Sequence, residues 1–199
     1  MCLLFETIRI CNGAPENLHY HQARLNKAMQ YFFEGAQPIN LLQLIQIPSA
    51  CGQGIFKCRV TYGRQVIAVD FEAYTPKLIT TLKLVDDNSI SYPYKFADRS
   101  QLNALREKRG NCDDILIVKN GLITDTSYSN IVFYDGFRWI TPTKPLLQGT
   151  MRSLLLHQDL ISEADIKASD LHRYHNARLI NAMLPLDTGN DIETINIVY

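Results

Sequence analysis

The feature that most limits the folds open to this chain is its series of short strand-like runs parted by two-residue turns. Residues 54–62 and 65–74 are rich in β-branched and aromatic side chains, and Gly63-Arg64 between them is short enough for a hairpin. Asn120-Gly121 parts the runs 114–119 and 122–124, and Asp135-Gly136 parts 129–134 and 139–141. Another strand is expected at 3–10, ahead of an Asn12-Gly13 turn, and one near 80–85. Helical spacing is confined to a few places. Ala23, Ala28, Met29, Phe32 and Phe33 mark a helix over 20–33 that carries Arg24 and ends before Gly35. Shorter helices are expected at 39–47, closed by Pro48, at 99–108 and at 150–160. The tail, 165–170 and 177–185, reads as a loop and a returning strand. Thr75-Pro76-Lys77 interrupts the pattern, so the expected class is α+β in two small lobes, 1–76 and 77–199.

Composition removes several partners. With 199 residues and 46% hydrophobic content, the chain can bury a sizeable core. Its 20 Lys+Arg balance 20 Asp+Glu and are scattered, which argues against nucleic acid or an anionic membrane as partner. No apolar run approaches the ~20 residues of a membrane helix, and Glu6 interrupts the opening before a signal segment could form, so the expected address is the cytoplasm. Five cysteines, Cys2, Cys11, Cys51, Cys58 and Cys112, include no C-x-x-C pair and read as reduced structural thiols rather than as metal ligands. The five histidines lack an acid cluster at metal spacing and read as structural or surface residues.

Three places could carry chemistry. Lys95 lies among Tyr92, Pro93, Tyr94 and Phe96, and an ammonium stripped of water there would become the kind of amine that forms Schiff bases. The bland alternative is a lysine that keeps its head in solvent. Gly149-Thr150-Met151-Arg152 opens an apolar helix, where backbone N–H groups favour an anion; ordinary helix capping would look the same. Residues 121–130 end a strand in Asp125 before a run of small polar residues, which could present an acid to a heterocyclic nitrogen or simply form a turn. The chain has no G-x-S-x-G, H-E-x-x-H, P-loop or G-x-G-x-x-G motif.

Taken in order, these segments resemble the class IV pyridoxal-phosphate enzymes, which include branched-chain and D-amino acid aminotransferases and aminodeoxychorismate lyases. Phe5-Glu6-Thr7-Ile8-Arg9 is similar to the family's F-E-T-I-R strand, and His21 to Leu25 to its H-x-x-R-L helix. Lys95, Cys112 to Leu116, Gly121 to Asn130, Thr141-Pro142 and Gly149 to Arg152 resemble the family's lysine and the segments that follow it. The resemblance implies a small version of the class IV (D-amino acid aminotransferase-like) fold and pyridoxal 5'-phosphate as cofactor. It implies that Lys95 binds the cofactor aldehyde and then moves the substrate α-proton. Asp125, where the family usually has Glu, would pair with the ring nitrogen, and Asn130 would stand beside the cofactor. Arg24, Gly149 and the N–H groups of Thr150 and Met151 would hold the phosphate, with Asn181 nearby in an N-A-x-x-P-like stretch. Arg59 and Arg64 are the cations proposed for a substrate carboxylate.

The run Lys95-Phe96-Ala97-Asp98-Arg99 is closer to the lyases' K-x-x-[ND]-R than to the K-x-x-x-N-Y of branched-chain enzymes. The expected activity is therefore 4-amino-4-deoxychorismate lyase, releasing pyruvate and 4-aminobenzoate, in a homodimer that takes a small amino substrate. An amino acid transaminase of the same family is the alternative. Because the chain opens directly on the F-E-T strand, a binding module that kept the fold without the cofactor is the reading from another class.

Overall fold

A computed structural model describes residues 2–199, which divide into two compact units. In the first, β1 (Leu4–Cys11) turns through Asn12 and Gly13, at φ 48° and 80°, into the two-residue β2 (Ala14–Pro15). Two successive positive φ angles make the tight turn that follows the twist of paired strands. Then come α1 (Leu18–Phe32), the single turn α2 (Leu41–Leu44), β3 (Ile55–Tyr62) and β4 (Val66–Ala73). The strands form an antiparallel sheet in the order β2-β1-β3-β4. Leu4, Ile8 and Ile10 of β1 pack with Leu25, Ala28 and Met29 of α1, the strand's period of two meeting the helix's three-to-four spacing. The helix expected over 39–47 shrinks to four residues: Asn40 caps it by accepting from Gln43 N–H, and Ile45 is already extended.

One segment departs from a single cut at Pro76. Residues 94–98 belong to the first unit, so the second lobe, expected as 77–199, consists of 77–93 and 99–199. Phe5 N–H donates to Lys95 O at 3.0 Å and Ala97 N–H to Leu3 O at 2.8 Å, fastening the segment along β1. Tyr94 and Phe96 set their rings edge-on to Phe32, at 4.8 and 5.7 Å. Hydrogen bonds to β1 and aromatic burial outweigh chain order here.

The second unit holds β5 (Leu82–Asp86), α3 (Ser100–Arg106), β6 (Asp114–Lys119), β7 (Leu122–Thr126), β8 (Asn130–Tyr134), β9 (Trp139–Pro142), α4 (Thr150–His157), β10 (Ile161–Ala164), β11 (Asn176–Ile180), β12 (Ile192–Glu193) and β13 (Ile197–Val198). One sheet runs β13-β5-β6-β7 and the other β10-β9-β8-β11-β12. The former sheet, with β8, β9 and β11 of the other, encloses a core that includes Leu82, Leu116, Ile131 and Phe133; a smaller core gathers Val132, Met151, Leu155, Ile161 and Ile180 around α4. The helix expected to 160 ends three residues earlier. Asp159 takes φ 54°, Leu160 N–H reaches back to Leu155 O at 2.9 Å and Asp159 N–H to Leu156 O at 3.1 Å, the 6→1 and 5→2 bonds that stop a helix. The chain then forms β10, parallel to β9, in a stretch to which the sequence pattern assigns no element.

Candidate active site

The first unit gathers cationic and aromatic groups on both faces of β1. Thr7 pairs with Arg59 across the sheet, so Arg59 stands diagonal to Phe5 on the same face. Its Cζ lies 3.8 Å from the Phe5 ring centroid, and Lys95 Nζ lies 4.8 Å from that centroid. Both cations thus use the electron-rich face of a buried ring. Lys95 is half-buried. Arg64, the other cation proposed for a carboxylate, is exposed and donates to Glu34 O at 3.2 Å; it does not join this group.

On the opposite face Glu6 is wholly buried and meets α1, where the three-residue spacing of His21 and Arg24 turns both toward it. Arg24 grips the carboxylate with two bonds, Nε to Oε1 at 2.9 Å and Nη2 to Oε2 at 2.6 Å, and His21 Nδ1 lies 2.6 Å from Oε2. Burial alone would raise the Glu6 pKa, but Arg24 and His21 outweigh it and hold it at about 2. The His21 pKa is lowered, first by burial and also by Arg24 and Lys95, with Glu6 opposing. A neutral His21 therefore donates Nδ1–H to Glu6. Neither Glu6 nor His21 was singled out from sequence. The available signal was a carboxylate at an inward position of β1 facing a helix with basic residues three apart.

In the second unit, Asp125 sits at an irregularity in β7. Leu116 pairs with Thr126 and Val118 with Ile123, so Ile117 alone opposes both Thr124 and Asp125. Such a bulge swings a side chain out of strict alternation, and Ile123 to Thr126 are buried in succession. Asn130 Nδ2 donates to Asp125 Oδ1 at 2.8 Å and to Leu147 O at 2.9 Å, while Leu147 N–H donates to Asp125 Oδ2 at 3.0 Å. Burial pushes the Asp125 pKa up to about 6 despite these bonds and the more distant Arg152.

Asn130 also explains Gly149. A Cβ at residue 149 would lie 1.9 Å from Asn130 Oδ1, while the φ of −72° is one any residue adopts. The glycine is there for room, and it starts α4 without a side-chain cap. Thr150 and Met151 occupy the first turn and are buried, the Met151 side chain among Val132, Leu155, Ile161 and Ile180. Asn181 donates to Ser129 Oγ at 2.7 Å and accepts from Met183 and Leu184 N–H at 2.8 and 3.1 Å. Arg99 Nη2 donates to Ser127 O at 2.6 Å, tying the start of α3 to the loop after Asp125. Asp125, Asn130 and Gly149 are thus brought into contact through one amide, while Asn181 holds the other end of the same loop at Ser129.

Among the described residues no three His, Cys, Asp or Glu side chains gather as a metal site, and no helix is long and apolar enough to cross a membrane. The five cysteines are unpaired, and burial raises the Cys58 thiol to about 12.

This protein belongs to the amino-transferase class IV family, whose model matches residues 3–186. It is accordingly a pyridoxal-phosphate-dependent enzyme. A Haemophilus somnus protein provisionally named 4-amino-4-deoxychorismate lyase is 38% identical with a TM-score of 0.88, over 94% of this chain and 98% of that one. A Haemophilus influenzae protein whose name carries no function is 38% identical over 182 residues, 90% of this chain and 97% of its own. The fold is also shared with a hypothetical aminotransferase from Mycobacterium tuberculosis in its PLP-bound form, at TM-score 0.74 and 15% identity, over 96% of this chain and 80% of that one. The residues present suit the cofactor. Asp125 is an acid whose pKa burial raises, and a protonated ring nitrogen beside it would favour its charged form.

Proposed function

We propose that this enzyme is a 4-amino-4-deoxychorismate lyase. The observation that carries the reading is the run Lys95-Phe96-Ala97-Asp98-Arg99, in which Arg99 braces the loop that follows Asp125. The Haemophilus somnus relative supports it by name. When bound, pyridoxal phosphate supplies an electron sink for bond breaking at the substrate carbon that bears the amine. Lys95 Nζ takes the proton from that carbon, and the substrate then expels pyruvate as its ring aromatises to 4-aminobenzoate. Asp125 as carboxylate would hold positive charge at the ring nitrogen, with Asn130 fixing its Oδ1 and Leu147 N–H its Oδ2. Arg24 and the amides of Thr150 and Met151 bind the phosphate, Gly149 leaves room for Asn130, and Asn181 steadies the loop at Ser129. Arg59, set against Phe5 beside Lys95, takes a substrate carboxylate; Arg64, at the Glu34 carbonyl, is the weaker candidate. The enzyme acts on a small amino substrate as a cytoplasmic homodimer, and sedimentation at twice the chain mass is the expected check on assembly.

The test is an assay without keto-acid acceptor. Release of pyruvate and 4-aminobenzoate in equal amounts is expected, and Lys95→Ala should abolish it. Strict dependence on 2-oxoglutarate would instead assign an amino acid transaminase. Purified protein without a visible absorption band that borohydride bleaches would assign a cofactor-free binding module.

A further inference from the structure

We propose that Glu6 is a positioning residue for anion binding: held by His21, it fixes the guanidinium plane of Arg24 so that this side chain can receive the cofactor phosphate. The inference rests on the reading of Arg24 as a phosphate ligand and goes beyond it.

A carboxylate beside an anion-binding arginine is at first sight counterproductive. Glu6 is buried and charged, and it cancels much of the attraction that Arg24 would exert on a phosphate. What it offers in return is geometry. An arginine side chain has several free torsions, and two parallel bonds to one carboxylate set both its reach and its plane. Glu6 can do this because it is itself immobile, being part of β1, on the α1 side of the sheet, with Oε2 bonded by His21 as well. Strand, histidine and arginine thus form a rigid bracket whose three members are buried or nearly so, Arg24 being 13% exposed. Apolar side chains often replace a buried ion pair with no loss of stability, so joining β1 to α1 does not by itself call for this bracket. Leu4, Ile8, Leu25 and Ala28 already make that join on either side of it.

The two accounts of Glu6 predict opposite signs. If charge decides, Glu6→Gln unmasks Arg24 and phosphate binding tightens; if geometry decides, the guanidinium loses its second anchor and phosphate binding weakens. Apoprotein is titrated with pyridoxal phosphate and with pyridoxal, which lacks the phosphate, and the ratio of the two affinities is read. The wild type should prefer the phosphorylated form, and Arg24→Gln should lose most of that preference. Glu6→Gln should lower it about tenfold, the scale on which outer-shell partners of a ligand act, with pyridoxal affinity little changed. An unchanged or larger preference in Glu6→Gln overturns the inference. A merely structural role would lower both affinities together and leave the ratio where it was, which also overturns it.

Should Glu6→Gln fail to fold, His21 decides. His21→Leu removes the donor to Glu6 and should reduce the preference, whereas His21→Asn, which keeps a donor near Nδ1, should restore it; equal preference in both variants and the wild type overturns the inference. If the wild type prefers neither ligand, or Arg24→Gln keeps the preference, it is the reading of Arg24 that fails.

Discussion

Asp125 is a side chain whose surroundings work against its charge. A pKa raised from 3.8 to about 6 means that the folded apoprotein favours the protonated acid, an effect of about 3 kcal/mol. That stability is fully present below pH 3.8 and is lost as pH rises through 6. Apoprotein should therefore melt lower at pH 7.5 than at pH 4.5 by more than Asp125→Asn does, and melting curves of the two at both pH values check this. Glu6 runs the other way, its pKa held down at about 2, so its contribution is present above 4.5 and is lost only as pH falls toward 2. Gly149 gives the second prediction at this scale. In Gly149→Ala the new methyl must displace the Asn130 amide, breaking its bonds to Asp125 and Leu147. A loss of about 1–3 kcal/mol is expected from the unmade bonds, read as a lower denaturation midpoint and accompanied by weaker cofactor binding. Asn130→Gly in the same background should recover part of the fit but not the affinity.

Among the elements, the segment 94–98 matters most, because it carries the amine yet belongs to neither a helix nor a regular strand. Backbone bonds to Phe5 of β1 and to Leu3 just before it, and the rings of Tyr94 and Phe96 against Phe32, hold it. Phe96→Ala removes one of those rings and should release the segment. Faster hydrogen exchange at the amides of Phe5 and Ala97, with a weaker cofactor absorption band, is the expected outcome; an unchanged exchange rate would show that the two backbone bonds suffice. The bulge in β7 and the stop of α4 at Asp159 are further cases where local geometry, not composition, sets the course of the chain.

At the scale of the whole molecule, cofactor binding and folding are one equilibrium. Pyridoxal phosphate at a hundred times its Kd should add about 2.7 kcal/mol to the stability of the apoprotein, and Lys95→Ala should lose most of that gain in a thermal melt. With 20 positive and 20 negative side chains there is no net field to steer an anionic substrate from a distance. On the function proposed above, recognition falls to local groups such as Arg59 and Arg24.

Much of this was legible in the residues alone. Turn chemistry at Asn12-Gly13 and Asn120-Gly121 and apolar periodicity located α1 and most strands, because both are properties of neighbours in sequence. The order of Phe5 to Arg9, His21 to Leu25, Lys95, Asp125 and Gly149 indicated the family by its resemblance to that family's run of motifs. Only the tertiary structure decided that residues 94–98 leave the second unit for β1, that Glu6 and His21 form a bracket around Arg24, and that Gly149 is small because Asn130 stands above it. Each of these rests on a hydrogen bond or a collision between residues far apart in the chain, and the local pattern of either partner does not say which distant residue it meets.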